Sequence, residues 1–216
     1  MVPGDVVVSL GTSGTAFART DVASADPSGS VQSFADAEGG FLPLVCTLNA
    51  ARVLGAGAAM LNTDHAGLDR LALAAAPGAG GLTLLPYLDG ERTPNLPTAT
   101  GSLHGLTRSN ATPENAAAVD AVRAAGCPVH RVLLIGGAAA SVAVQEVAAD
   151  VFGVPVAVPG AGEYVAVGAA RQAAWALAGG EAPPVWDVAV DVTVEPDEAG
   201  RARAAEVRGR YAATVA

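Results

Sequence analysis

The sequence contains no lysine: all 12 of its basic residues are arginine. With the abundance of alanine, this matches a GC-rich coding bias and carries no mechanism. Positive charge is scarce overall, 12 basic against 21 acidic residues for a formal net charge of -9. Nucleic acids and anionic membranes both recruit a basic footprint, so neither is an expected partner. Aromatic residues make up 4% of the chain, which leaves a core to be built from Ala, Val and Leu. Cysteine is limited to Cys46 and Cys127. They lie far apart with no second Cys or His at ligand spacing, and read as reduced, buried thiols of a cytoplasmic protein. His65, His104 and His130 are equally scattered and read as surface or structural residues.

Long apolar runs are missing too. The longest uncharged stretch, residues 71–88, is broken by Pro77, Gly78, Gly80, Gly81 and Pro86, and a bilayer span needs about 20 apolar residues in succession. The first residues show no positive region followed by an apolar one, so no secretory signal is expected. What remains is a chain of 216 residues, 51% hydrophobic, with a mean hydropathy of +0.38. It is long enough for one large domain.

The stretch around which the chain is organised is DVVVSLGTSGTAFA, residues 5–18. Val6, Val7 and Val8 are β-branched, and a short apolar run of this kind reads as a buried strand. A second strand follows over residues 15–19. Between them lie Gly11, Thr12, Ser13 and Gly14. Glycines permit positive φ and close approach of an anion to backbone N–H groups, and two hydroxyls stand ready beside them. Such a loop serves equally as an ordinary hairpin turn.

Extended segments are expected at 30–37 and 39–47, giving an antiparallel meander. The period then changes: Leu48, Ala51, Leu54, Ala58 and Leu61 recur every three or four residues, as on one face of a helix. A second helix is expected over 66–75. Residues 82–88 are strand-like but carry Pro86, which favours an edge or a strand end. Residues 89–95 hold Asp89, Glu91 and Arg92 among turn formers and read as a solvated surface loop, with orientation of a ligand as the alternative. A small extended segment follows at 101–107. Thr112, Pro113 and Glu114 then have the order of an N-cap, a first helical residue and a helix-start acid. That helix is expected to run to 125 and end at Gly126.

From residue 131 the pattern alternates: strand 131–135, turn Gly136-Gly137, helix 141–152, strand 155–158, helix 163–178. Strands alternating with helices predict parallel pairing. A glycine pair between a strand and a helix lies where an open α/β sheet binds its ligand. A connector with β character over 183–193 and a terminal helix from Pro196 to about 213, with a charged outer face, complete the chain. This order is that of a ribonuclease H-like (actin-like ATPase) domain: a mixed sheet with flanking helices, in the α/β class. In that fold a hairpin phosphate loop and a strand-Gly-Gly-helix turn face one nucleotide, which gives the first loop a partner.

Four stretches resemble the C-terminal domain of the FGGY carbohydrate kinases, and among them the xylulokinases: VSLGTSGTAFA at 8–18, LPYLDGERTPNLPTATGSLHGLT at 85–107, LLIGGAAAS with QEVAADVFGVPV between 133 and 156, and EYVAVGAARQAAW at 163–175. The resemblance implies that residues 1–216 form one nucleotide-binding domain of the C-terminal type. It implies ATP with Mg²⁺ as the ligand, and transfer of a phosphoryl group to a sugar hydroxyl, giving xylulose 5-phosphate if the sugar is D-xylulose. Gly11, Thr12, Ser13 and Gly14 would hold the β- and γ-phosphates. Gly136, Gly137, Ala138 and Ser141 would line the adenine and ribose pocket. The family's sugar-binding N-terminal domain, and the aspartate that serves as its base just before the first strand, have no counterpart here, and Asp5 lies too close to the strand to match it. No catalytic residue is therefore assigned, and the expected partners are ATP and either an N-terminal kinase lobe or a second copy at the exposed interdomain face. In the family the helix that here begins at Pro113 is longer, as though several turns were removed after Asn115. Two smaller departures are Ala138, commonly glycine, and Val167, commonly polar. The alternative is a non-catalytic nucleotide-binding or interaction remnant of such a kinase.

Overall fold

The computed structural model describes residues 1, 4–118 and 129–215. Asp5–Leu10 forms β1 and Gly14–Ala18 forms β2, paired antiparallel with Leu10 opposite Gly14 across the expected loop. The meander continues through β3 (Gln32–Ala35) and β4 (Phe41–Thr47). Two helices follow, α1 (Ala51–Met60) and α2 (His65–Ala74), the latter capped by the Asp64 carboxylate, which accepts from the Gly67 N–H. A short ribbon of β5 (Thr83–Leu85) and β6 (Ser102–His104) stands apart from the main sheet. β5 stops immediately before Pro86, as a missing N–H requires.

The N-cap at Thr112 is as expected: its hydroxyl accepts from the Asn115 N–H at the start of α3 (Pro113–Ala117). The predicted continuation to 125, the Gly126 stop and Cys127 lie outside the described residues. The second half supplies β7 (Arg131–Ile135), α4 (Val142–Phe152), β8 (Val156–Pro159), α5 (Tyr164–Ala178), β9 (Val190–Val194) and α6 (Glu198–Val215).

The main sheet has seven strands in the order β3-β4-β2-β1-β7-β8-β9. β1, β7 and β8 are parallel neighbours, and the pairings outside them are antiparallel. This is the mixed sheet of the ribonuclease H-like order, extended by β3 at one edge and β9 at the other. A bidentate ion pair fixes the start of the central pair: Arg131 donates to both Asp5 oxygens at 3.1 and 2.8 Å, with Asp5 buried. The two residues face each other in the β1–β7 register.

The scarcity of aromatics shows in the core. Val132, Leu134 and Val156 are fully enclosed, and Ala148 and Ala149 of α4 pack on them with no accessible surface. Methyl-sized side chains let the helix backbone approach the sheet closely, which preserves packing density without large rings. A smaller cluster of Ala58, Leu68 and Ala117 joins α1, α2 and α3. α5 differs, having no buried residue; Val165 is 89% exposed and Leu177 92%. Among the described residues no helix is long and apolar enough to cross a membrane.

Candidate functional site

β1 and β7 run parallel, so their carboxyl ends lie side by side, Ser9 opposite Ile135. Each ends in a glycine turn. In the first, Thr12 and Ser13 are exposed, while Gly14 is buried at the head of β2. A side-chain carbon on Gly14 would come within 2.8 Å of the Thr47 methyl and 3.2 Å of the Ala50 methyl. Gly14 is therefore glycine because the end of β4 and the residue before α1 close against it. The Gly11 carbonyl accepts from the Ala51 N–H at 2.9 Å, which ties the same turn to the start of α1.

In the second turn Gly136 has φ +96, and a side-chain carbon there would lie 2.7 Å from the Leu10 carbonyl. The two turns thus touch through backbone, with no room for any side chain between them. Gly137 has open space around its missing side chain, and a 3-10 turn over Gly137–Ala140 leads into α4. Ser141 caps that helix, accepting from the Val144 N–H at 3.1 Å. Its hydroxyl also donates to Asp69 Oδ1 of α2 at 2.5 Å, and the same oxygen accepts from the Ala143 N–H at 3.1 Å. Asp69 thus places a negative charge at the start of α4, where the helix dipole favours it.

A cavity of about 450 Å³ opens beside these turns, mostly apolar, with Leu10, Gly14, Ala138, Ser141, Val144 and Leu68 in its wall. Of the eight residues singled out from sequence, Gly14, Ala138 and Ser141 line it. Gly11, Thr12, Ser13, Gly136 and Gly137 do not; they form the adjoining strand-end turns. Val167 lies on α5, 43% exposed. The carboxylates in the cavity wall are Asp69 and Glu91.

Glu91 corrects the expectation of a solvated loop at 89–95. The residue is 3% exposed. Its carboxylate accepts from the Thr47 hydroxyl at 2.5 Å, the Leu48 N–H at 2.8 Å, the Asn49 side-chain amide at 3.1 Å and the Arg92 N–H at 2.7 Å. Burial alone would raise its pKa, but these donors outweigh it and hold the carboxyl below its ordinary range. Asn49 also donates to the Gly90 carbonyl at 2.7 Å. Its Oδ1 is buried with no partner among the described residues. Asp89, Arg92 and Asn95 of the loop behave as expected, exposed, with Asp89 paired to Arg52 at 3.1 Å. Nothing in residues 89–95 themselves signals the burial of Glu91, since its donors Thr47, Leu48 and Asn49 lie more than 40 positions earlier.

The remaining sequence expectations fall out simply. His65, His104 and His130 are exposed. Cys46 is a free thiol but only half-buried, a correction to the fully buried site expected.

The sequence matches the FGGY family of carbohydrate kinases, C-terminal domain, over residues 6–177. The chain belongs to that family. It is 45% identical over 212 residues to a xylulose kinase of Streptomyces rubiginosus, covering 91% of this chain and 42% of that protein. It is 44% identical over 216 residues to a xylulose kinase of Streptomyces coelicolor, covering 91% and 43% respectively. The chain therefore spans less than half the length of these relatives. Among solved structures, xylulose kinase from Bifidobacterium adolescentis superposes with a TM-score of 0.81 at 43% identity, over 97% of this chain and 44% of that one. A xylulose kinase from Brucella ovis superposes at 0.85 with 28% identity, over 99% of this chain and 48% of that one. The actin-like fold and the FGGY C-terminal identity read from the four stretches are both borne out.

Proposed function

We propose that the chain is the ATP-binding half of a sugar kinase of the xylulokinase type, with D-xylulose as the acceptor of the complete reaction. The observation that carries this reading is the contact of the two glycine turns at the ends of β1 and β7 beside an apolar cavity. The exposed Thr12 and Ser13 hydroxyls and the N–H groups of residues 11–14 suit the β- and γ-phosphates. The cavity wall at Ala138 and Ser141 suits an adenosine, whose base presents flat faces to apolar side chains while a few placed polar groups fix its orientation. Gly137, open on its missing side chain, lets the ligand approach the backbone closely. Mg²⁺ suits phosphate oxygens held at this turn, and it would offset their charge during transfer. Among the described residues no three His, Cys, Asp or Glu side chains gather to bind an ion by themselves.

Among the described residues the cavity wall offers no free carboxylate to serve as a base. Both carboxylates in the cavity wall are engaged, Glu91 by the donors around residues 47–49 and Asp69 by Ser141 and Ala143. Transfer therefore requires a second lobe that brings the sugar and its base. The exposed apolar side chains of α5, Val165 and Leu177 among them, support association with such a lobe or with a second copy of the chain. The domain functions in the cytoplasm, where ATP and sugars meet. The second reading, a nucleotide-binding domain without kinase activity, rests on the same cradle.

Calorimetry with Mg·ATP and the Thr12→Val variant tests the nucleotide reading. Loss of one hydroxyl contact is expected to weaken binding by about 1 kcal/mol or more. No binding, or binding indifferent to Thr12→Val, leaves the loop as a plain hairpin turn.

A further inference from the structure

We infer that Glu91 is a positioning residue for the turn at Gly11–Gly14, acting through the residues that follow β4. The inference rests on the nucleotide reading for its consequence, not for its geometry. An acid 3% exposed is costly to bury unless its oxygens are satisfied, and here the donors come from one short segment as well as from its own loop. Thr47, Leu48 and Asn49 all donate to it. The next residues of that segment are those that meet the glycine turn. Ala50 and the Thr47 methyl pack on Gly14, and the Ala51 N–H bonds to the Gly11 carbonyl at 2.9 Å.

Thr47 carries both halves of the link on one side chain. Its hydroxyl bonds to Glu91 at 2.5 Å, while its methyl abuts Gly14. Hydrogen bonds to an ionised acceptor are roughly twice as strong as neutral ones, so the charge on Glu91 holds this side chain in a single rotamer. α1 has no side-chain N-cap, so beside the Arg52–Asp89 ion pair its start is held by the residues that precede it. The Glu91 carboxylate supplies this constraint from a separate loop. The consequence is that phosphate binding, not adenosine binding, depends on Glu91.

The test compares the full chain with Glu91→Gln and Thr47→Val by amide hydrogen exchange and by titration with adenosine and with Mg·ATP. Glu91→Gln keeps the size but lacks the charge and the second acceptor. Exchange at residues 10–14 and 47–51 is expected to quicken by about tenfold or more, while residues 131–135 stay unchanged. Mg·ATP affinity falls about tenfold with adenosine affinity moving less than about twofold. Thr47→Val, which keeps the methyl against Gly14, shows the same pattern at smaller amplitude and carries the test if Glu91→Gln does not fold. Unchanged exchange at 10–14, exchange quickened equally at 131–135, or equal losses for adenosine and Mg·ATP would each overturn the inference. A wild-type chain that binds neither ligand, with the local exchange pattern still present in the variants, defeats the nucleotide reading and supports the positioning of the turn by Glu91.

Discussion

Gly136 rests directly on the backbone of Leu10, so close that a side-chain carbon would stand 2.7 Å from the Leu10 carbonyl. This contact brings the two glycine turns of the sheet together, and it makes a sharp distinction between adjacent glycines. Gly136→Ala must accommodate both a positive φ of +96 and a backbone clash. Its cost is expected at about 1–3 kcal/mol or more. Gly137→Ala meets nothing within 4 Å and is expected to leave stability within about 0.5 kcal/mol of wild type. Urea denaturation of the two variants side by side checks the contrast. Equal stabilities would mean that the turns do not touch as described.

The bond between Ser141 and Asp69 predicts coupling between them. Ser141→Ala removes the cap of α4 and the donor to Asp69 together, with an expected loss of about 1 kcal/mol or more. Asp69→Asn removes the charge at the helix start while keeping the shape. Because the two side chains share one hydrogen bond, at 2.5 Å, the double variant should lose less than the sum of the singles. A double-mutant cycle in which the effects simply add would show that the bond carries no net stability.

Stability should depend on pH through Glu91. Its folded pKa lies below the ordinary 4.5 because the surrounding donors outweigh burial. A carboxyl depressed on folding stabilises the folded state in full above its unfolded pKa, and the contribution is lost as pH falls through the lower folded value. Glu91→Gln is therefore expected to trail wild type most at neutral pH, with the gap narrowing below pH 4.5. Thermal melts across that window decide it. A gap that stays constant down to acid pH would show that folding does not lower the pKa of this carboxyl.

Local pattern carried most of the fold. The β-branched run at Val6, Val7 and Val8, the glycines that bound the first turn and the cap order Thr112-Pro113 each act within a few residues, and each appears where its chemistry places it. Ser141 was legible as the start of a helix but not as the partner of Asp69, because that bond joins residues 72 positions apart. Glu91 was misread for the same reason. A charged residue among turn formers looks solvated until the donors folded over it are known, and those lie at the end of β4 and just beyond it, at Thr47, Leu48 and Asn49. Gly14 was read as a site for an anion; its packing against Thr47 and Ala50 adds a steric reason that no local pattern conveys.

Catalysis provides the last prediction. The chain alone is expected not to phosphorylate D-xylulose above background, although its family is one of kinases. Transfer needs the sugar hydroxyl held in line with the γ-phosphate, and such positioning can lower a barrier by roughly 7–11 kcal/mol. A general base contributes about 10²- to 10⁴-fold more, and the two carboxylates in the cavity wall are committed to Ser141, Ala143 and the turn after β4. Neither contribution is within reach of the residues described. Attack by water on bound ATP asks for less, so slow, sugar-independent release of ADP is compatible with the phosphate turn. A coupled assay for ADP with and without D-xylulose separates these outcomes. Turnover that rises with D-xylulose in the isolated chain would reveal a sugar site and a base within it, and would overturn the half-kinase reading. Turnover that appears only when a separately produced N-terminal lobe of a related xylulose kinase is added would support it, because that lobe would restore both the in-line hydroxyl and the base at once.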